Sequence, residues 1–217
     1  MALVTVAELT KAAAEGGYAV GAFNLNNMEI LQAVIAAAEE ERSPVILQAS
    51  QGGLKYAGID YIVAMARVAA ENASVPVALN LDHGTSFKQA MVCIRKGFSA
   101  VMIDGSQLPF EENIALVKRV VDVARAAGVS VEAELGKIGG TEDDIVVSDQ
   151  DATMTDPDEA AEFVERAQPD LLAVAIGTAH GVYKGEPRID FKRLEEIKKR
   201  VDIPLVLHGA SGVSDEA

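Results

Sequence analysis

The chain has 217 residues, 49% of them hydrophobic, and its 33 acidic and 19 basic residues give a formal net charge of −14. This length suits one sizeable domain, and the hydrophobic content argues against disorder. The charge argues against a nucleic-acid or anionic-membrane surface, although a local metal ion would still allow an anionic substrate. We expect no membrane span and no signal peptide, and the single Cys93 predicts a reducing cytoplasm and a structural thiol.

Apolar periodicity, caps and glycine stops predict strand–helix alternation seven times over. The predicted helices cover residues 6–15, a stretch that Asn27 caps and that runs through residue 40, then 59–72, 87–96, 110–127, a stretch that Asp156 caps with Pro157 in its first turn, and 191–200. The predicted strands cover residues 19–23, 45–48, 77–81, 100–103, 129–133, 171–176 and 205–207. We expect a turn at Gly52-Gly53, a polar segment over 136–155 and a loop over 177–188. The strands are apolar on both faces, which is typical of parallel strands covered by helices.

Polar residues at the strand ends favour a barrel over an open doubly wound sheet. Strand after strand leads to a chemically useful group: Asn24, Ser50, His83, Asp104, Glu134, His180 and His208. In a barrel these ends meet in one ring, whereas an open sheet spreads them along an edge. We therefore predict an α/β fold, a (β/α)₈ TIM barrel, as a single domain over residues 1–217. The predicted strands fall one short of eight, so we expect a portion of a longer protein or a partner that fills the gap.

All three histidines of the chain, His83, His180 and His208, follow apolar runs and precede a glycine. Three imidazoles that converge with one position left open form a catalytic Zn²⁺ site. The alternative for each is a loop histidine bonded to backbone, and the glycines alone are explained by turns. The repeated pattern favours the metal site.

Carboxylates surround the predicted metal site. Asp82 beside His83 is either a general acid/base or a turn-forming cap, and the sequence leaves both open. Glu132 and Glu134 lie on the same side of a strand, where a buried carboxylate needs a cationic partner, and Asp104 could join them. The long segment after Gly139-Gly140 is typical of a lid and carries Glu142. We interpret Asp143 and Asp144 as solvated loop residues.

A small-residue loop follows the seventh predicted strand. Backbone amides of the loop Gly209-Ala210-Ser211-Gly212 could cradle a phosphate, with Gly181 and Lys184 contributing from the preceding loop. A glycine-serine turn alone is weak support, and its neighbour His208 strengthens it.

Together these residues resemble one family, the class II metal-dependent fructose-bisphosphate aldolases and their tagatose-bisphosphate relatives. The resemblance runs through almost the whole chain. It is carried by the segments Phe23-Asn24-Leu25-Asn26-Asn27-Met28-Glu29, Leu81-Asp82-His83-Gly84, Val131-Glu132-Ala133-Glu134-Leu135-Gly136, Gly139-Gly140-Thr141-Glu142, Gly177-Thr178-Ala179-His180-Gly181 and Leu207-His208-Gly209-Ala210-Ser211-Gly212.

The resemblance implies a role for each site residue. His83, His180 and His208 would hold a catalytic Zn²⁺, and Asp104 and Glu134 a second or alternative divalent metal. Asp82 would be the acid/base, and Glu142 the lid residue that takes the proton from dihydroxyacetone phosphate. The phosphate loop would comprise Gly181, Lys184, Gly209 and Ser211, with a monovalent cation in some members. Asn24 and Ser50 would line the substrate pocket.

The predicted activity is reversible aldol cleavage of fructose 1,6-bisphosphate in glycolysis and gluconeogenesis, by a cytoplasmic homodimer or homotetramer. One alternative is tagatose 1,6-bisphosphate as substrate, because the two sugars differ at one hydroxyl. Another is an inactive metal-binding fragment, suggested by the eighth strand and the C-terminal helices that the resemblance implies and that we expect to be absent from these 217 residues. A third is an unrelated metallohydrolase barrel, which the phosphate loop and Glu142 disfavour.

Overall fold

The computed structural model describes residues 2–142, 145–148, 150, 152–183 and 185–214, without the side chains of Glu142 and Ile145. The α-helices of these residues are α1 (Val6–Gly16), α2 (Met28–Glu40), α3 (Gln51–Ala57), α4 (Ile59–Asn72), α5 (Phe87–Lys96), α6 (Phe110–Ala126), α7 (Pro157–Ala167) and α8 (Phe191–Lys198). The strands are β1 (Gly21–Asn24), β2 (Val45–Ser50), β3 (Val77–Gly84), β4 (Ala100–Ile103), β5 (Ser130–Leu135), β6 (Gly139–Glu142), β7 (Ile145–Val147), β8 (Leu171–Val174), β9 (Ala179–His180) and β10 (Leu205–Val206).

Short polar side chains set the helix starts. Asn27 accepts a hydrogen bond from the Ile30 amide and begins α2. Ser86 accepts a hydrogen bond from the Gln89 amide and begins α5. Asp156 caps α7 directly before Pro157, whose missing N–H costs nothing in a first turn. The predicted caps at Asn27 and Asp156 are therefore confirmed.

The chain divides into two compact units, and unit 1 comprises residues 1–103 and 119–131. Its strands β1 to β4 lie in that order, and β1, β2 and β3 pair in parallel. Every residue of β3 is buried, as is every residue of β2 except Gln48. Parallel strands that are buried on both faces consist of near-continuous apolar runs, and this agrees with the sequence.

Unit 2 comprises residues 104–118 and 132–217. Residues 132–135 of β5 belong to unit 2 and pair in parallel with β8. Strand β8 in turn pairs in parallel with β10. A second small sheet has the order β7-β6-β9, with β6 antiparallel to β7 and parallel to β9. The largest fully buried side chains of unit 2 are Phe163, Leu171, Leu172 and Ile176.

The structure corrects the sequence prediction at three places. Gly52-Gly53 lies inside α3 and is not a turn, because the Ser50 hydroxyl accepts from the Gly53 amide and starts a helix there. The polar segment 136–155 contains β6 and β7, and the loop 177–188 contains the two-residue strand β9. The predicted parallel strand–helix alternation is otherwise confirmed. Among the described residues, no helix is both long and apolar enough to cross a membrane.

Candidate metal and phosphate site

In unit 1, the end of β3 carries Asp82 and His83, both buried. His83 has a left-handed φ of 43°, and the register against β4 shifts between Leu81 and Gly84. A non-glycine residue in this region is strained, and such strain persists only where the surroundings impose it. The bulge also frees the His83 side chain from the period-two alternation of a regular strand.

Neighbouring groups hold the His83 backbone in place. Its amide donates to the Met102 sulfur at 3.3 Å, and its carbonyl accepts from Gln51 Nε2 at 2.8 Å. A Cβ on Gly84 would lie 2.8 Å from the Met102 carbonyl oxygen, so only glycine fits after the histidine. The Gly84 position is therefore explained by close backbone approach, and the positive φ belongs to His83 itself.

The two predicted pocket residues of unit 1 also lie at strand ends. Ser50 is the partner of Asp82 in the β2–β3 register, and its hydroxyl accepts from the Gly53 amide at 3.1 Å. Asn24 ends β1 and is exposed to solvent. The structure thus adds a helix-capping role for Ser50, and the pocket roles stay predictions.

In unit 2, the segments around β9 and β10 bring two of the three histidines together. His180 ends β9, and His208 lies two residues beyond β10. Their rings meet edge to face, with centroids 5.8 Å apart. One ring nitrogen of each lies within 4.8 Å of the other. Two nitrogens bound to one tetrahedral Zn²⁺ are about 3.4 Å apart, so small side-chain rotations would bring both into range.

Glu132 is the buried partner of His208. Its Oε1 lies 2.7 Å from His208 Nε2, and the two residues are only 3% and 8% exposed. A carboxylate oxygen accepts from a protonated ring nitrogen, and where Nε2 is the donor in this contact, Nδ1 would be the nitrogen that faces a metal ion. Carboxylate–histidine pairs of this kind orient metal ligands and raise their basicity. The sequence predicted a cationic partner for Glu132 but did not identify His208.

Asp104 and Glu134 form a second group of donors in unit 2. A carboxylate oxygen of each lies within 4.8 Å of the other, at 9% and 2% exposure. Asp104 Oδ1 also accepts from the Ser106 amide at 2.9 Å, and the Glu134 carbonyl accepts from Asn113 Nδ2 at 3.0 Å. Two carboxylates this close in a buried place repel unless a proton or a cation lies between them.

The donor set of unit 2 fits a divalent metal on chemical grounds. Imidazole nitrogens suit zinc and related transition metals, and paired carboxylates suit the same ions or harder ones. Close imidazoles and close carboxylates, all largely shielded from water, are the environment in which an ion stabilises the fold and its ligands.

Strand β6 of the predicted lid packs directly on the strand that ends in His180. Gly139 and Gly140 are the register partners of Ala179 and His180. Gly140 has φ 101°, and a Cβ there would lie 2.1 Å from the His180 carbonyl oxygen. The glycine pair therefore permits this contact. Glu142 is the last residue of β6, and the structure describes its backbone only. Asp143 and Asp144 lie outside the described residues.

The predicted phosphate loop is built from tight backbone turns. Gly181 and Gly209 have φ values of 82° and 72°, which a side chain would strain. Ser211 is exposed in a short 3₁₀ turn, Ala210–Gly212, that follows Gly209. Lys184 lies outside the described residues. The sequence missed Tyr183, whose hydroxyl lies between Ala179 and Gly209.

Parallel strands alternating with helices, with histidines, carboxylates and glycine turns at the strand ends, define an α/β protein whose strand ends carry residue types that bind metals. The family model described as fructose-bisphosphate aldolase class-II matches residues 4–217. A fructose-bisphosphate aldolase of Helicobacter pylori is 50% identical over 217 residues, covering 99% of this chain and 71% of the relative. A probable fructose-bisphosphate aldolase of Bacillus subtilis is 51% identical over 216 residues, covering 98% and 75%.

Solved structures give the same result. The YdjI aldolase of Escherichia coli K12 superposes with a TM-score of 0.88 at 41% identity, covering 99% of this chain and 75% of that one. The chain therefore belongs to the class II fructose-bisphosphate aldolase family, which consists of carbon–carbon lyases with the TIM-barrel fold. The predicted fold class and family are confirmed.

Proposed function

We propose that this protein catalyses the reversible aldol cleavage of fructose 1,6-bisphosphate to dihydroxyacetone phosphate and glyceraldehyde 3-phosphate, with Zn²⁺ as cofactor. The observation that carries the proposal is the pair His180 and His208, with ring nitrogens within 4.8 Å, in a family member about 50% identical to fructose-bisphosphate aldolases. The substrate names of those relatives support fructose over tagatose bisphosphate.

The sequence pattern and the close donor pairs of unit 2 support the proposed set of metal-holding residues. His83, His180 and His208 would hold the zinc, and Asp104 and Glu134 would hold a second or alternative divalent metal. When bound, the zinc supplies Lewis-acid stabilisation of the negative charge that develops next to the substrate carbonyl. Within the part of the chain that the structure describes, no strand ends in lysine, the residue whose amine a Schiff-base aldolase uses.

The chain's own residues move the protons and hold the phosphate. Asp82 takes the hydroxyl proton of the sugar during cleavage and returns it to the aldehyde oxygen during condensation. Glu142 on the lid takes and returns the carbon-bound proton of dihydroxyacetone phosphate. The phosphate binds Gly181, Lys184, Gly209 and Ser211, with a monovalent cation as a further candidate there. Asn24 and Ser50 line the pocket.

Chelation with zinc add-back tests the proposal. We expect the protein to cleave fructose 1,6-bisphosphate, to lose that activity in a strong chelator, and to regain it when zinc is restored. Tagatose 1,6-bisphosphate is assayed in parallel, and an equal rate on both sugars would contradict the fructose assignment. Bound zinc without cleavage of either sugar would support the alternative of an inactive metal-binding chain. Full activity in the chelator would reject the metal mechanism.

Partners and location remain proposals of the same kind. A phosphorylated sugar is the proposed small-molecule partner, and we propose a homodimer or homotetramer in the cytoplasm, acting in glycolysis and gluconeogenesis. Nucleic acid and membrane surfaces are disfavoured by the net charge of −14.

A further inference from the structure

We propose that Tyr183 is a positioning residue whose hydroxyl ties the His180 segment to the His208 segment and so presets the spacing of the two metal ligands. The inference rests on the proposed metal-dependent function. It concerns unit 2 alone, since all these residues belong to it.

The Tyr183 hydroxyl bridges two backbone groups. The Ala179 amide donates to the hydroxyl oxygen at 2.8 Å, and the hydroxyl donates to the Gly209 carbonyl at 2.9 Å. Ala179 directly precedes His180, and Gly209 directly follows His208. One phenol group therefore joins the peptide units next to both histidines.

The bridged segments are also in direct backbone contact. A Cβ on Gly209 would lie 2.7 Å from the Ala179 carbonyl carbon and oxygen, so only a glycine lets the two backbones approach this closely. A Cβ on Gly212 would lie 2.5 Å from the Tyr183 ring, which shows that the ring packs against the turn after Gly209. The hydroxyl thus lies at the end of a ring that the 3₁₀ turn supports.

A fixed spacing matters because a metal binds best to ligands that need no rearrangement. The rings of His180 and His208 are 5.8 Å apart at their centroids, and neither segment is long enough to be rigid alone. Strand β9 has two residues, and β10 ends two residues before His208. Groups that orient metal ligands from outside the coordination sphere are typically worth 10- to 100-fold in metal affinity.

The Tyr183→Phe variant removes the hydroxyl and keeps the ring against Gly212. Tyr56→Phe is the matched control, because Tyr56 is 76% exposed in α3 and takes no part in the site. Zinc affinity is measured by chelator competition, and Co²⁺-loaded protein reports ligand geometry through its visible absorption. Amide hydrogen exchange of the metal-free protein reports whether the two hydrogen bonds of the Tyr183 hydroxyl protect the bridged segments. The amides of β8 serve as an internal reference.

We expect Tyr183→Phe to raise the zinc Kd about 10-fold, to change the Co²⁺ spectrum, and to speed exchange around residues 178–181 and 208–210. The Tyr56→Phe control should match the wild type in all three. Exchange at those residues equal to the wild type would overturn the proposal. Faster exchange with an unchanged zinc Kd would also overturn it, since the tie would then not position ligands.

The two proposals fail in different ways. Wild-type protein that binds zinc but cleaves no sugar bisphosphate rejects the proposed function, while the comparison of Tyr183→Phe with Tyr56→Phe still decides the role of the hydroxyl. In an active wild type, the variant should show a raised zinc requirement with kcat largely restored at saturating zinc.

Discussion

For Glu132 the sequence predicted the need for a buried partner, but it did not predict that the partner is His208. Period-two alternation in β5 placed Glu132 on the same side as Glu134 and required a cation or a cationic side chain as partner. The partner lies 76 residues away in the sequence, at 2.7 Å in space. No local pattern connects the two, so only the folded chain could identify it.

The Glu132→Gln variant tests this pairing. Glutamine keeps the shape and an acceptor oxygen but loses the charge, so we expect the zinc Kd to rise about 10-fold or more. The measurement is chelator competition on purified protein. Glu165→Gln, at an exposed position of α7, makes the same change in net charge and should leave the Kd unchanged. Equal Kd values for the two variants would contradict the role of Glu132.

At the scale of elements, Thr155 anchors the end of the predicted lid segment to two strands. Its hydroxyl donates to the Leu135 carbonyl at the end of β5 and accepts from the Ala175 amide just after β8 at 2.8 Å. Its own amide donates to the Ala175 carbonyl at 2.9 Å, and its carbonyl accepts from Arg193. Thr155 therefore fixes where the lid segment returns to the sheet.

The Thr155→Val variant removes the hydroxyl and nearly preserves the volume. Two buried hydrogen bonds are lost, and we expect the free energy of unfolding to fall by about 2 kcal/mol. Urea unfolding of the metal-free protein measures this change. Thr153→Val, an exposed neighbour of the same type, should change it by less than about 0.5 kcal/mol. A Thr155→Val variant as stable as Thr153→Val would contradict the anchoring role.

Two of the elements that the sequence did not predict show the reasons: one is held by a distant partner, and the other by a cap that overrides helix propensity. Strand β9 has two residues and exists because Gly139 and Gly140 pair with it. So short a strand has no periodicity of its own. The glycines at 52 and 53 suggested a turn from their low helix propensity, and the Ser50 cap overrides that propensity.

At the scale of the whole molecule, buried Cys93 predicts a loss of stability at alkaline pH. Burial raises the pKa of its thiol from 9.0 to about 12. The unfolded chain therefore ionises this thiol at a lower pH than the folded protein does. The stabilisation that the neutral Cys93 thiol contributes is fully present below about pH 9 and is lost as the pH rises toward about 12.

We expect this group to lower the free energy of unfolding by about 1.5 kcal/mol between about pH 9 and about pH 10.5. The measurement is urea unfolding at the two pH values for the wild type and for Cys93→Ala. The variant is less stable overall because it leaves a small cavity, but it should lack this part of the pH dependence. An identical pH dependence in both proteins would contradict the burial of a neutral thiol.

The sequence by itself determined the α/β class, the order and approximate bounds of most elements, the helix caps at Asn27 and Asp156, and the family. These follow from local periodicity, from capping chemistry and from motifs of adjacent residues, all of which are written within a few positions. The tertiary structure alone decided that Glu132 pairs with His208, that Tyr183 joins the segments of His180 and His208, and that His83 adopts a left-handed conformation at a bulge. Each of these depends on which distant backbones come into contact, and that is fixed by packing the whole chain rather than by neighbouring residues.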